Sequence, residues 1–174
     1  RSNPSEIKAG LGHEMGHYKL HHIQKLLLYV TLLALAGFAI LYVAAPRILA
    51  RHGERWGVHK VADPGSAPLL FALLTLLMVP GDILFNSVIR HHESEADVFG
   101  LEAAREPDGF AMTAMQLSEY RKLEPTPVEE FLFFDHPSGR TRVRMAMDWK
   151  AKHLAELPVD QRGMSGGLPV GIPV

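Results

Sequence analysis

The chain has 174 residues, of which 47% are hydrophobic and 21% are charged, and its formal net charge is −1. This balance excludes a strongly basic surface as the main feature, so we expect no nucleic-acid partner. The chain contains no cysteine, which excludes disulfides and thiolate ligands, so histidines and carboxylates must hold any metal ion.

The first predicted element is a helix that carries the sequence His13-Glu14-Met15-Gly16-His17. Helical residues four apart share a face, so both imidazoles can bind one metal ion with Glu14 beside them. Two neutral nitrogen ligands, an open position for water and a carboxylate base are what a zinc peptidase needs. The alternative is a solvated His/Glu face, but Gly16 costs about 1 kcal/mol against alanine in a helix that only packs.

The next predicted element is an apolar helix over residues 26–45, a run without a charged residue. It is long enough to span a bilayer, and Tyr29 and Tyr42 lie near its ends, as interfacial aromatic residues do. Pro46 is predicted to close it. The alternative is a fully buried helix of a soluble protein, which a chain of this size would struggle to surround.

A second apolar span is predicted over residues 67–89, with an end that Pro80 and Asp82 interrupt. Pro80 should kink the helix or break its hydrogen-bond ladder, and an ionisable group at membrane depth usually faces an interior. The alternative is an amphipathic or re-entrant segment. With a polar loop over residues 46–66, the two spans form a hairpin that returns the chain to its starting side.

An acidic helix follows, in which Glu93 and Asp97 share one face. Glu93 is the candidate third metal ligand, and Asp97 could accept the second ring N–H of a ligand histidine. The rival ligands are His91, His92 and Glu95. Without the upstream histidines, an exposed acidic helix start would explain the same residues.

A later segment places His136 before Pro137, at the start of another predicted helix. Proline restricts His136 to an extended backbone, so this side chain lies on a loop and could donate a hydrogen bond to a developing oxyanion. Arg142, within the helix, could pair with a buried carboxylate such as Asp97. The alternative is a surface histidine and a solvated arginine.

A helix is predicted over residues 110–122, where apolar residues recur with a helical period, and a last helix over residues 138–155. The apolar run at residues 131–134 is expected to pack in the core, and the alternative is that it lines a substrate groove. The segment 157–174 is rich in glycine and proline and is predicted to be a tail with little regular structure.

The predicted fold is mainly all-α, with zincin-like catalytic helices. A two-helix transmembrane hairpin is inserted between the H-E-x-x-H helix and the helix with the third ligand. The predicted membrane-embedded catalytic domain covers residues 1–156. Because the chain begins with Arg1 rather than methionine, we expect it to be part of a longer protein with an upstream segment.

The order of these motifs resembles the integral-membrane zinc metallopeptidases of the HtpX and CAAX prenyl protease type. The resemblance covers most of the chain and combines H-E-x-x-H, two apolar spans, R-x-x-E-x-x-A-D and H-P-x-x-x-x-R. The matching residues are His13 to His17, Arg90 with Glu93 to Asp97, and His136 with Pro137 and Arg142.

The resemblance implies that His13, His17 and Glu93 bind Zn²⁺, that Glu14 is the catalytic base, and that His136 holds the substrate or the oxyanion. It also implies an integral protein of the bacterial inner membrane whose metal site lies near the cytosolic face. The expected partners are the lipid bilayer and membrane-associated, misfolded or prenylated protein substrates. The oligomeric state is left open.

Two other functions fit the sequence. One is a catalytically inactive membrane scaffold that keeps the zinc site for folding. The other is a metal-binding or transport protein in which His21, His22, His91 and His92 form a relay.

Overall fold

The computed structural model describes residues 3–118 and 122–162 of the chain. Every regular element in these residues is helical, and no strand occurs among them, which confirms the all-α prediction. In chain order the elements are α1 (Pro4–Lys19), α2 (His22–Trp56), a short 3-10 helix (Pro64–Ser66), α3 (Ala67–Ala104), α4 (Pro107–Ser118), α5 (Pro127–Phe133), α6 (Gly139–Lys152) and α7 (Val159–Arg162).

Three helices near the predicted site, α1, α5 and α6, begin at side-chain caps. The Asn3 side chain accepts the backbone N–H of Ser5 at the start of α1, and Ser138 accepts that of Thr141 at the start of α6. Helix α5 begins with a reciprocal capping box at Thr126. Because the first N–H groups of a helix have no partner within it, such caps determine where each helix begins.

Helix α2 is longer than the predicted span, because it continues through Pro46 to Trp56. The prediction that Pro46 closes the helix was therefore wrong, and of the predicted loop over residues 46–66 only residues 57–63 lie outside a helix. A proline removes one backbone donor, but the following residues are mostly good helix formers and keep the helix intact. The helix ends at Gly57, whose φ of +67° is the left-handed conformation that favours glycine.

Helix α3 is continuous from Ala67 to Ala104, although an interruption was expected near Pro80. It therefore joins the second apolar segment directly to the acidic segment with Glu93. A ligand on a long continuous helix is held more rigidly than a ligand on a loop.

Helices α2 and α3 contact each other, yet their apolar segments are not buried by other parts of the described structure. Both are long and apolar enough, by length and composition, to cross a membrane. Large side chains such as Leu27, Phe38, Phe71 and Leu76 are exposed along them. These helices are thus compatible with two membrane spans.

The hydrophobic core lies where α1, α4, α6 and the C-terminal half of α3 meet. Its buried members are Ala9, Leu101, Phe110, Ala111, Ala114, Ala146, Trp149 and Leu157. The most extensive packing between helices is that of α1 against α3. The core therefore holds the H-E-x-x-H helix against the helix that carries the predicted third ligand.

Two expectations for the C-terminal part differ from the structure. Helix α5 buries no residue, and Phe131 and Phe133 are exposed, because α5 is short and lies on the surface of α3. Leu157 is 1% exposed, and α7 follows it, so the predicted tail begins with ordered residues. The prediction for residues 163–174, and that for the helix over residues 119–121, lie outside the described residues.

Candidate metal centre

The two histidines of the H-E-x-x-H sequence converge on one point. They lie one turn apart on α1, and the Nε2 atoms of His13 and His17 are 3.0 Å apart. Both side chains are partly buried, with exposed fractions of 14% and 22%. Two ring nitrogens that face the same small space are arranged as metal ligands are.

Glu93 on α3 completes the group. Its Oε2 lies 3.4 Å from Nε2 of His13, and its Oε1 lies 3.4 Å from Nε2 of His17. A tetrahedral ion with bonds of about 2.0–2.1 Å has ligand atoms about 3.3–3.4 Å apart. The donor spacing therefore fits a divalent metal ion. It is the one group of three such side chains among the described residues that could hold one.

Asp97 orients the first of these histidines. It is fully buried, and its Oδ1 accepts a hydrogen bond of 2.8 Å from Nδ1 of His13. Arg142 donates two hydrogen bonds to the same carboxylate, from Nε at 2.8 Å and from Nη2 at 2.6 Å. A carboxylate behind a ligand histidine fixes the tautomer that leaves Nε2 available to the metal.

These contacts change the acidity of His13. Burial alone lowers its pKa, but hydrogen bonds with Asp97 and Glu93, and the charges of both carboxylates, outweigh burial and raise the pKa to about 9. A metal ion at this imidazole would therefore have to compete with a proton.

The group opens into a cleft of about 610 Å³ that Glu14 and His136 also line. Glu14 is exposed on α1, next to the converging histidines. Nε2 of His136 lies 3.3 Å from Oε2 of Glu93, and Nδ1 lies 3.0 Å from Oδ1 of Asp135. The structure thus places a carboxylate and an imidazole beside the three candidate ligands, where a bound molecule can reach all of them.

Sequence reasoning did not assign a role to the contacts that hold the His136 segment. Arg90 donates to the backbone carbonyls of Glu130 and Phe134 at the end of α5. The Glu130 carboxylate accepts the backbone N–H of Ser138, at 2.9 Å. These contacts tie the segment to α3, one turn before Glu93. The only sign of these contacts in the sequence is Arg90 itself, which lies on the same helix as Glu93.

The rival ligands lie away from the metal group. His91 and Glu95 contact each other, with Nε2 and Oε1 3.6 Å apart. His92 is buried and stacks on His22, with ring centroids 4.4 Å apart. Within residues 3–118 and 122–162, none of these side chains joins a second metal-binding group.

Comparison with known proteins agrees with this geometry. The profile of peptidase family M48 matches residues 1–150. A protein of Bacillus subtilis (strain 168) described as the uncharacterized metalloprotease YhfN is 30% identical over 147 residues, which are 82% of this chain and 34% of that protein. The chain thus spans about a third of the length of this relative. No solved structure is significantly similar to the chain. The matched region includes all three candidate ligands, Glu14 and His136, and the chain belongs to peptidase family M48, a family of metallopeptidases.

Proposed function

We propose that this chain is the catalytic part, over residues 1–156, of a zinc-dependent endopeptidase of the HtpX and CAAX prenyl protease type. The observation that carries the proposal is the spacing of the donor atoms of His13, His17 and Glu93, which are 3.0–3.4 Å apart beside Glu14. Two imidazoles and one carboxylate are a donor set that zinc peptidases use.

The proposed mechanism assigns a role to each side chain of the cleft. When bound, zinc supplies Lewis acidity to water and to the substrate carbonyl. Glu14 accepts the proton of the attacking water and passes it to the leaving amine nitrogen. His136 donates a hydrogen bond to the carbonyl oxygen of the substrate as negative charge develops there. Asp97 and Arg142 keep His13 in the ligand tautomer.

The proposed setting is a bacterial inner membrane, with the site near the cytosolic face. It is supported by the exposed apolar surface of α2 and α3, which a lipid bilayer would cover. Since Glu93 lies on the same helix as the second apolar segment, the cleft would lie close to the membrane surface. Membrane-associated, misfolded or prenylated proteins are the substrates that such a position favours.

The test is peptide cleavage and zinc content in the full chain and in a Glu14→Gln variant. We expect about one zinc per chain in both proteins, and a loss of cleavage of at least a hundredfold in the variant, because the proton acceptor is gone. A Glu54→Gln variant is the matched control, since the Glu54 side chain is 96% exposed on α2. It should cleave like the wild type.

Each alternative has its own outcome in this test. Zinc binding without cleavage by the wild type would indicate an inactive scaffold. Several metal ions per chain would indicate a metal-binding or transport protein. Equal cleavage by the wild type and Glu14→Gln would refute the proposed mechanism.

A further inference from the structure

The link between the H-E-x-x-H helix and α2 has an unusual backbone. His21, which separates α1 from α2, has a φ of +57°, in the left-handed region that residues other than glycine rarely adopt. This conformation reverses the chain sharply, so the first residue of α2 returns to the side of α1. That residue is His22, and it is 3% exposed.

His22 contacts the second candidate ligand directly. Its Nδ1 lies 3.0 Å from Nδ1 of His17, on the opposite edge of the His17 ring from the metal group. The other ring nitrogen of His22, Nε2, lies 3.2 Å from Oε2 of Glu95 on α3. His92 stacks on the His22 ring with an interplanar angle of 6°, which holds the plane of that ring.

The donors and acceptors in the series His17, His22 and Glu95 follow from the two ends of the series. If Nε2 of His17 presents its lone pair to a metal, the proton of that ring is on Nδ1, which then donates to Nδ1 of His22. His22 must accept there, so its own proton is on Nε2. That N–H donates to Glu95, which as a carboxylate can only accept.

We propose that His22, held by Glu95, is a positioning residue that fixes the tautomer and ring orientation of His17. This inference rests on the proposed metal centre. The arrangement parallels that of His13, which Asp97 orients through one hydrogen bond. Helix α3 then supplies one ligand, Glu93, and the carboxylates behind both ligand histidines.

The experiment compares zinc affinity, by chelator competition, in the full chain and in His22→Phe and His22→Asn variants. Phenylalanine keeps the ring but cannot accept the His17 N–H, so the affinity should fall about 10- to 100-fold. The Oδ1 atom of asparagine occupies nearly the position of the lost Nδ1, so this variant should stay within a few-fold of the wild type. His91→Phe is the control, because the His91 side chain is 72% exposed and also contacts Glu95.

A second measurement distinguishes a role of His22 in positioning His17 from an effect on the stability of the fold. With Co²⁺ in place of zinc, the visible absorption of the metal should change in His22→Phe and return in His22→Asn, while the melting temperatures of the metal-free proteins stay alike. If His22→Phe does not fold, Glu95→Ala takes its place, since the Glu95 side chain is 37% exposed. It should weaken zinc binding several-fold.

The outcomes distinguish this inference from the proposed function. A wild type that binds no zinc would refute the metal centre itself. A wild type that binds zinc, with His22→Phe and Glu95→Ala binding it equally well, would overturn only the role of His22. Loss of affinity in His91→Phe to the same extent would also overturn it.

Discussion

The Asp97 carboxylate connects the candidate metal centre to the core of the protein. It accepts one hydrogen bond from His13 and two from Arg142, and it is fully buried. The Arg142 guanidinium also lies 5.3 Å from the centre of the Phe110 ring in the core. A buried carboxylate with three donors is costly to disturb, because each donor that is lost leaves a desolvated charge poorly compensated.

Replacing Arg142 with lysine should therefore destabilise the protein although the charge is kept. An ammonium group cannot reproduce the two parallel hydrogen bonds of the guanidinium, and one charge-assisted bond contributes about 1.5–3 kcal/mol. We expect the free energy of unfolding to fall by about that amount in denaturant titrations. Arg140→Lys is the control, because Arg140 is 61% exposed and pairs with exposed Glu124. An equal loss in both variants would contradict the role of the buried pair.

The raised pKa of His13 predicts that metal binding depends on pH. Because this pKa is about 9, the imidazole is mostly protonated at pH 7, and a metal ion must displace the proton. The apparent affinity should increase roughly tenfold per pH unit from pH 7 and level off above about pH 9, as expected for release of one proton. Chelator competition across this range, corrected for protonation of the chelator, measures the slope. A constant affinity between pH 7 and 9 would count against competition at His13.

At the scale of single residues, local spacing was sufficient to identify the groups that the structure brings together. His13 and His17 share a helix face, as do Glu93 and Asp97 on another helix. Their catalytic and metal-binding roles stay predictions. The contact of His22 with Glu95 was not predicted, because it depends on the left-handed backbone of His21.

At the scale of helices, close approach between α1 and α3 positions the ligands. Gly16, between the two ligand histidines in the chain, faces Ala96 of α3: a Cβ added there would lie 2.9 Å from the Ala96 Cα. A Cβ added to Gly100 would lie 2.8 Å from the backbone nitrogen of His13. Real Cβ atoms do not approach backbone atoms so closely, so glycine at these positions lets the two helices share one candidate metal centre.

Gly16→Ala should thus destabilise the protein, although alanine is the better helix former. The clash is with backbone, and overpacking of this kind costs about 1–3 kcal/mol, which outweighs a gain in helix propensity of up to about 1 kcal/mol. We expect a lower melting temperature and weaker zinc binding, because α1 must move away from α3. Gly10→Ala is the matched control on the same helix, since a Cβ there meets nothing within 4 Å. It should leave stability unchanged or raise it, and a loss like that of Gly16→Ala would contradict the packing argument.

The prolines show where sequence reasoning about helices was insufficient. Pro46 was predicted to end a helix and Pro80 to interrupt one, yet α2 and α3 continue through both. A proline costs about 3 kcal/mol in a helix interior, but a long helix retains nearly all of its other hydrogen bonds. The local rules for proline give the free-energy cost of the residue correctly. Whether the helix continues depends on the length of helix on both sides of the proline.

At the scale of the whole molecule, two kinds of surface are joined. The compact part formed by α1, α4 and α6 has a buried core, whereas the apolar segments of α2 and α3 expose their large side chains. So much exposed apolar surface is rare on soluble proteins and marks a contact with lipid or with other protein. Sequence composition could predict these segments, since hydropathy is a local property, but not the continuous helix that links one of them to Glu93.

Charges placed in the first apolar segment should prevent stable membrane insertion if that segment spans the bilayer. Leu32 and Leu35 are 56% and 60% exposed on α2, and an arginine at the centre of a span costs about 2.5–3.5 kcal/mol. In cells that express the full chain, the wild type should stay in the membrane pellet after alkaline carbonate extraction. A variant with both Leu32→Arg and Leu35→Arg should be largely released or degraded.

A second double variant tests whether the position of the charges matters. Val128 and Leu154 are 65% and 42% exposed outside the two apolar segments, so arginine at both positions adds the same charge to surface that we expect to face water. This control should remain in the pellet like the wild type, because its spans are unchanged and the added guanidinium groups stay hydrated. If instead the wild type is fully extracted by carbonate, or if both double variants are released equally, the exposed faces of α2 and α3 must be covered by protein rather than by lipid.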